Sequence, residues 1–384
     1  MSKNNEVKRH PSTLAAQANG WLDPSTNAVI PSIHPSTTYA RDQDYELVDG
    51  RGYTRDENPT YLQVESLLSK LESGKEALLF ASGMAAATAI LLALKPGDHI
   101  VAPSDVYFGL RSWLIKVGLR WGLKIDFVQA GNLEAISESL IPGVTKIVWV
   151  ETPCNPMCTI TDIKAVADIT HTAGAKLVVD STLATPVLTQ PLTLGADIVM
   201  HSATKYLNGH SDVLAGALIT ANDDELWQRI SALRYQNGGV LGPFESWLLL
   251  RGIRTLFLRV ERSSSTALSM ANYFTGHNQL TEVLYPGLKH HKDYRVAIKQ
   301  MIGGFGGVLS IRIKGGRDAA ISVAKSVQLF VPATSLGGVE SLIEHRATIE
   351  GSESPIPDDL LRLSIGIEDP NDLITDIDQA LSNL

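Results

Sequence analysis

The chain has 384 residues, 44% of them hydrophobic and 19% charged. That balance excludes a disordered protein and gives room for two or three ordinary domains, each with a core of its own. With 41 acidic against 33 basic residues the formal net charge is −8, and no long basic run offers a surface to nucleic acid or an anionic membrane.

No stretch supplies the ~20 apolar residues of a membrane span. The longest apolar run, Met84 to Leu94, is interrupted by Thr88 and predicts a buried helix. The polar start, Met1 to His10, lacks the apolar core of a secretory signal. Cys154 and Cys158 have no second pair to complete a zinc site, so no metal is expected, and both thiols are read as reduced in a cytoplasmic protein.

The first segment is rich in Pro, Thr, Asn and Tyr and ends in a helix expected over Tyr61–Leu71. Residues 1–60 read as an arm that packs on another subunit. From Glu76 to Thr220 short aliphatic strands follow one another: Ala77–Phe80, His99–Ala102, Lys124–Val128, Lys146–Val150, Lys176–Asp180, Asp197–Met200 and Leu214–Ile219. Between most of them lie stretches with apolar spacing near 3.6, such as Gly109–Trp121 and Asp162–Ala173. All-apolar strands alternating with helices predict a mostly parallel sheet covered on both faces, with ligands outside the carboxyl ends of the strands. This α/β unit is assigned to residues 61–245. Phe244–Asn272 reads as a long helix or helix pair. Residues 246–384 then form a smaller α/β domain, with strands at Val308–Ile313 and Leu361–Ile365 and helices at Ala319–Ser326 and Pro370–Leu381.

The stretch His201 to Gly216 carries the strongest chemical signal. Lys205 follows Ser202 and Thr204 and is trailed by small and Gly residues. A partly desolvated lysine becomes a neutral nucleophile, and hydroxyls just before it can hold a phosphate. Together they point to pyridoxal 5'-phosphate, whose aldehyde takes an amine and whose phosphate needs an anchor. The plain alternative is a solvated loop lysine.

Asp180 ends a strand where ligands sit and can keep a pyridine nitrogen protonated; alternatively it caps a turn through Ser181 or Thr182. Ser82-Gly83-Met84 follows a strand and opens a helix, a second anion-binding side. Tyr107, just after another strand, can stack on a ring or be an ordinary loop tyrosine. Arg362, a cation in an apolar strand, suits a substrate carboxylate, or else a structural pair with Glu368 or Asp369. Gly303–Gly307 precedes a strand instead of opening a helix, and His290-His291 lies in a charged, surface-like stretch; neither reads as a site.

These residues together resemble the Cys/Met-metabolism, or trans-sulfuration, family of cystathionine γ-synthase, cystathionine β- and γ-lyases and methionine γ-lyase. The most specific match is Ser-Ala-Thr-Lys-Tyr-x-x-Gly-His-Ser-Asp over Ser202–Asp212. Tyr53–Thr60, Glu151–Pro156, Gly242–Gly252, Ser335–Ser341 and Arg362–Glu368 are similar to family segments too. The resemblance implies a fold type I, aspartate aminotransferase-like architecture, with a mostly parallel seven-stranded sheet and a smaller C-terminal α/β domain. It implies Lys205 as the lysine that binds the cofactor and shuttles protons, Asp180 at the ring nitrogen and Asn155 at the ring hydroxyl. Ser82, Gly83, Met84, Ser202 and Thr204 match the phosphate cup. Tyr107 matches the stacking and catalytic tyrosine, and Arg362 with Ser335 the substrate-carboxylate site. Tyr53 and Arg55 match residues that reach a neighbouring subunit's phosphate, which implies a homodimer at least and usually a tetramer.

Two positions depart from the family pattern. Thr334 stands where γ-enzymes typically carry a glutamate for the distal amine, and Phe108–Arg111 replaces a Gly-Gly-Thr/Ser run. The missing glutamate makes β-elimination of cystathionine to homocysteine, pyruvate and ammonia the expected reaction. The alternatives are γ-synthase or γ-lyase chemistry and, more remotely, a catalytically silent cofactor-binding protein.

Overall fold

The computed structural model describes residues 9–351 and 354–384; residues 1–8 of the expected arm lie outside them. Seven strands form one sheet: β1 (Glu76–Phe80), β2 (His99–Pro103), β3 (Lys124–Val128), β4 (Thr145–Glu151), β5 (Lys176–Asp180), β6 (Ile198–His201) and β7 (Gly216–Thr220). Their order is β1-β7-β6-β5-β4-β2-β3. Only β7 runs against its neighbours. A parallel neighbour needs a long crossover, usually helical, and the link from β6 to β7 is the loop around Lys205, so the chain turns back.

Helices cover both faces, as the unbroken apolar strands require. Helix Pro59–Leu71, capped by the Asn58 side chain on the Thr60 N–H, packs Leu67 and Leu71 with Val199 and Ile219 of the sheet. On the other face helix Gly83–Leu92 brings Ile90 to Trp149, Met200 and Trp227. The expected helix over Gly109–Trp121 forms from Phe108 with one wide π turn at Leu114–Gly118.

The Phe244–Asn272 stretch is a helix pair, Pro243–Ile253 and Leu256–Phe274. The first member spans residues 245 and 246 and packs on Pro59–Leu71, while the second leads to the smaller unit. There β8 (Leu280–Leu284), β9 (Val308–Ile313), β10 (Val331–Pro332), β11 (Leu342–Glu344) and β12 (Leu360–Ser364) form a sheet in the order β10-β11-β12-β9-β8. Helices Leu256–Phe274, Gly316–Ser326 and Pro370–Ser382 close its core around Leu309, Ile311 and Leu363. Among the described residues no helix is long and apolar enough to cross a membrane.

Candidate active site

The carboxyl ends of the parallel strands bring five segments together. Ser82 and Gly83 follow β1, Tyr107 follows β2, Asn155 follows β4, Asp180 ends β5, and Ser202 to Lys205 follow β6. They line a cavity of about 350 Å³ that the smaller unit closes with Thr334, Ser335, Arg346 and Arg362.

Lys205 reaches across this gap. Its Nζ donates to Ser335 Oγ at 2.8 Å, and Ser335 holds a left-handed backbone (φ 82°), uncommon outside glycine. Burial first, then the Arg362 and Arg346 charges, lowers the Lys205 pKa to about 8, with Glu344 opposing. Among the described residues no carboxylate pairs with the amine. A sizeable fraction is therefore neutral and nucleophilic near neutral pH.

Asp180 caps the turn and also faces the cavity. Its Oδ1 accepts from the Thr182 N–H at 3.0 Å and hydroxyl at 2.6 Å, capping the turn, while the residue still lines the cavity. Opposite it in the sheet stands Glu151, whose oxygens accept the backbone N–H of Tyr107 at 2.8 Å and of Asn155 at 3.0 Å. Burial, and then Asp180 beside it, push Glu151 up to about 8. Burial also raises Asp180, against the Thr182 hydrogen bonds and His201. The described residues give neither carboxylate an arginine or lysine partner.

At the other end the backbone is kept bare. Ser82 caps helix Gly83–Leu92 through the Ala85 N–H at 3.0 Å. A Cβ on Gly83 would lie 2.9 Å from the Ser202 Cβ, and one on Gly216 only 2.2 Å from the Ser82 carbonyl oxygen. The Thr204 hydroxyl is already bonded to both backbone groups of Ala215, at 3.1 and 3.0 Å, so here it braces the loop.

Arg362 is 1% exposed. Its Nη2 lies 2.7 Å from Glu344 Oε2 and donates to the Ser335 carbonyl at 2.5 Å; Nη1 is 3.5 Å from Asn155 Oδ1. The Nε is buried with no partner. The suggested pairing with Glu368 or Asp369 is corrected: the β11–β12 register sets Glu344 directly across from Arg362. Glu368 instead accepts from Ser341, and Asp369 caps the last helix.

Residues 12–382 match the family model described as Cys/Met metabolism PLP-dependent enzyme. The chain belongs to this family. It is 45% identical to cystathionine gamma-synthase of Mycobacterium tuberculosis, over 97% of this chain and 96% of that protein. It is 40% identical to cystathionine beta-lyase of Coxiella burnetii, over 99% of this chain and 100% of that one. The crystal structure of metB from Corynebacterium glutamicum superposes with a TM-score of 0.94 at 42% identity, covering 98% of each chain.

The family's cofactor is pyridoxal phosphate, and the cavity fits it. Two crowded, uncompensated carboxylates suit a protonated ring nitrogen beside Asp180, since a buried charge needs a partner. The bare turn at Gly83 and Gly216, on a helix N-terminus, suits a phosphate. The depressed Lys205 suits an aldehyde.

Every proposed site residue lines this cavity except Tyr53 and Arg55. Those two lie on the arm, Tyr53 46% exposed with the Arg55 guanidinium 5.5 Å from its ring centroid. Cys154 and Cys158 are buried, and no metal-binding cluster exists among the described residues. Sequence reasoning did not single out Glu151, Glu344 or Arg346. Glu151 ends a strand just as Asp180 does, which is a readable signal. Glu344 ends a strand too short to show a period, and Arg346 opens a helix of only five residues.

Proposed function

We propose that the protein catalyses γ-replacement on an activated homoserine, joining it to cysteine to give cystathionine. The observation that carries this reading is the end-to-end likeness to a protein named cystathionine gamma-synthase, together with a cavity that fits the family's cofactor. In balance, the Cγ–O bond of a homoserine ester breaks and its electron pair leaves with the carboxylate, a Cγ–S bond forms, and the proton lost by the thiol passes through the site to the departing carboxylate.

Bound in the cavity, pyridoxal phosphate supplies an aldehyde for the substrate amine and a ring that withdraws electrons from the adjoining carbon. The residues of the chain do the rest. Arg362, with its unpaired Nε, grips the α-carboxylate and fixes which Cα–H bond faces Lys205. The Lys205 Nζ, steadied by Ser335, takes the Cα proton and exchanges further protons along the substrate chain. Asp180 keeps positive charge at the ring nitrogen. Tyr107, held through its N–H by Glu151, closes the cavity as a second proton-handling group.

A second reading is β-elimination of cystathionine, favoured by the neutral Thr334 on the cavity wall. The working unit in either case is at least a dimer, in which Tyr53 and Arg55 serve a partner's phosphate. The holoenzyme, supplied with an acylated homoserine and cysteine and separately with cystathionine, decides the chemistry by its products. Cystathionine formation supports γ-replacement. Homocysteine with pyruvate moves the protein to β-elimination, and cysteine with 2-oxobutyrate to γ-elimination.

A further inference from the structure

Glu151 is a buried acid with no proton to handle in the reaction steps above. It ends β4, 4% exposed, and the parallel register sets it directly across from Asp180, 8% exposed, at the end of β5. Both line the cavity. The two oxygens of Glu151 are used separately: Oε1 accepts from the Asn155 N–H at 3.0 Å and Oε2 from the Tyr107 N–H at 2.8 Å. One carboxylate thus fixes the two residues assigned to the ring hydroxyl and the ring face. Only its ionised form accepts fully from both.

The groups around the pair add no compensating charge. Asp105, on the loop after β2, presses further negative charge on Glu151, and its Oδ2 accepts from the Cys154 thiol at 3.3 Å. That thiol stays neutral, pushed up by burial and then by Glu151 and Asp105. Tyr107 meets Glu151 through its backbone. From β6, His201 acts on Asp180 but is itself held by Glu72 at 2.6 Å. The cations of the facing wall are engaged elsewhere: Lys205 with Ser335, and Arg362 and Arg346 with Glu344. Two like charges this close do not both ionise without a cation. Burial, then Asp180, accordingly pushes Glu151 up to about 8.

We infer that Glu151 is a positioning residue whose grip is tied to the charge on the cofactor ring. In the cofactor-free protein it shares one proton with Asp180. Once a positive ring nitrogen meets Asp180, Glu151 ionises and pins Tyr107 and Asn155 against the ring. This linkage is independent of which reaction follows.

The protons balance as follows. With cofactor bound, the two carboxylates and the ring nitrogen together hold one proton, on the nitrogen. Wild type starts with one on the pair, so a proton arriving on the ring is released. In Glu151→Gln, Asp180 starts ionised, and the ring nitrogen must bring or take up that proton. Wild type therefore releases about one more proton per cofactor than the variant, whichever form the cofactor arrives in.

The test titrates wild type, Glu151→Gln and Glu151→Asp with pyridoxal phosphate at a series of pH values, followed by absorbance. From about pH 6.5 to about pH 8, wild-type affinity should gain about tenfold per pH unit over Glu151→Gln; above that the two should run parallel. A merely structural loss would lower affinity equally at every pH. Glu151→Asp, which keeps an acid beside Asp180, should keep the steeper slope. Equal slopes in wild type and Glu151→Gln would overturn the assignment. Infrared difference spectroscopy of wild type at about pH 7 stands even if a variant misfolds. A neutral-carboxyl band should vanish on adding the cofactor and persist with the analogue that has carbon in place of the ring nitrogen. No such band, or its loss with both compounds, would also overturn the assignment.

Discussion

The two walls of the cavity are built differently. On one side, the large sheet ends in β1, β2, β4, β5 and β6 and offers groups braced by regular structure: Asp180 capped by Thr182, Tyr107 and Asn155 pinned by Glu151, and Gly83 at a helix start. On the other side, the small sheet and its loops offer Thr334, Ser335, Glu344, Arg346 and Arg362, tied together by ion pairs and one left-handed residue. The first wall suits a cofactor common to a whole family. The second is the wall that we propose meets the substrate, and it holds Thr334, one of the two departures from the family pattern. Chemistry and specificity are thus assigned to different domains, an arrangement in which one can vary while the other stays fixed.

The largest effect should come from Lys205, which reaches from the cofactor wall to Ser335 on the other. Lys205→Ala is expected to lower turnover by more than about 10³-fold, checked by steady-state assay of protein whose cofactor content is measured separately. Near-normal turnover would break the assignment. On the substrate wall, Arg362→Ala should lower kcat/KM by about 10²-fold, through the loss of charge-assisted hydrogen bonds worth about 1.5–3 kcal/mol. It also strands the buried Glu344, so a lowered Tm should accompany the kinetic loss. Cofactor affinity should change little in this variant.

On the cofactor wall the opposite pattern is expected. Gly216→Ala forces a Cβ to 2.2 Å from the Ser82 carbonyl, so the phosphate turn must shift, at about 1–3 kcal/mol. Titration of the apoprotein should show cofactor affinity falling about tenfold or more, with KM for substrate moved less. A change in KM alone would erase the contrast between the walls. The smallest effect is a pH dependence. In the cofactor-free protein Lys205 titrates near about 8 instead of its usual 10.5, so its neutral fraction grows as pH rises through that value. Reconstitution with pyridoxal phosphate, followed by absorbance, should speed up from about pH 7 to about pH 9 and then level off. A rate still climbing steeply toward the ordinary lysine range would show that burial does not lower this amine.

The same contrast explains what could be read from sequence. β4, β5 and β6 are apolar throughout and long enough to recognise, so Asp180 and Lys205 could be placed at strand ends before any coordinates. β11 has three residues and β10 two, too few for any periodic signal. The pairing of Arg362 with Glu344 depends on the register between β11 and β12, which no local pattern carries. The nearer acids Glu368 and Asp369 drew attention instead, although Ser341 and the last helix already hold them. Glu151 was legible as a strand-end acid, but its hold on Tyr107 comes from a contact between residues 44 positions apart.

Mapping the covalently fixed cofactor is the most direct measurement. The holoenzyme is reduced with borohydride, digested, and searched by mass spectrometry for a phosphopyridoxyl-lysine. The label is predicted on the peptide containing Lys205, with none on it in Lys205→Ala. A label on any other lysine, with Lys205 unmodified, would contradict the placement of the cofactor at the edge of the large sheet.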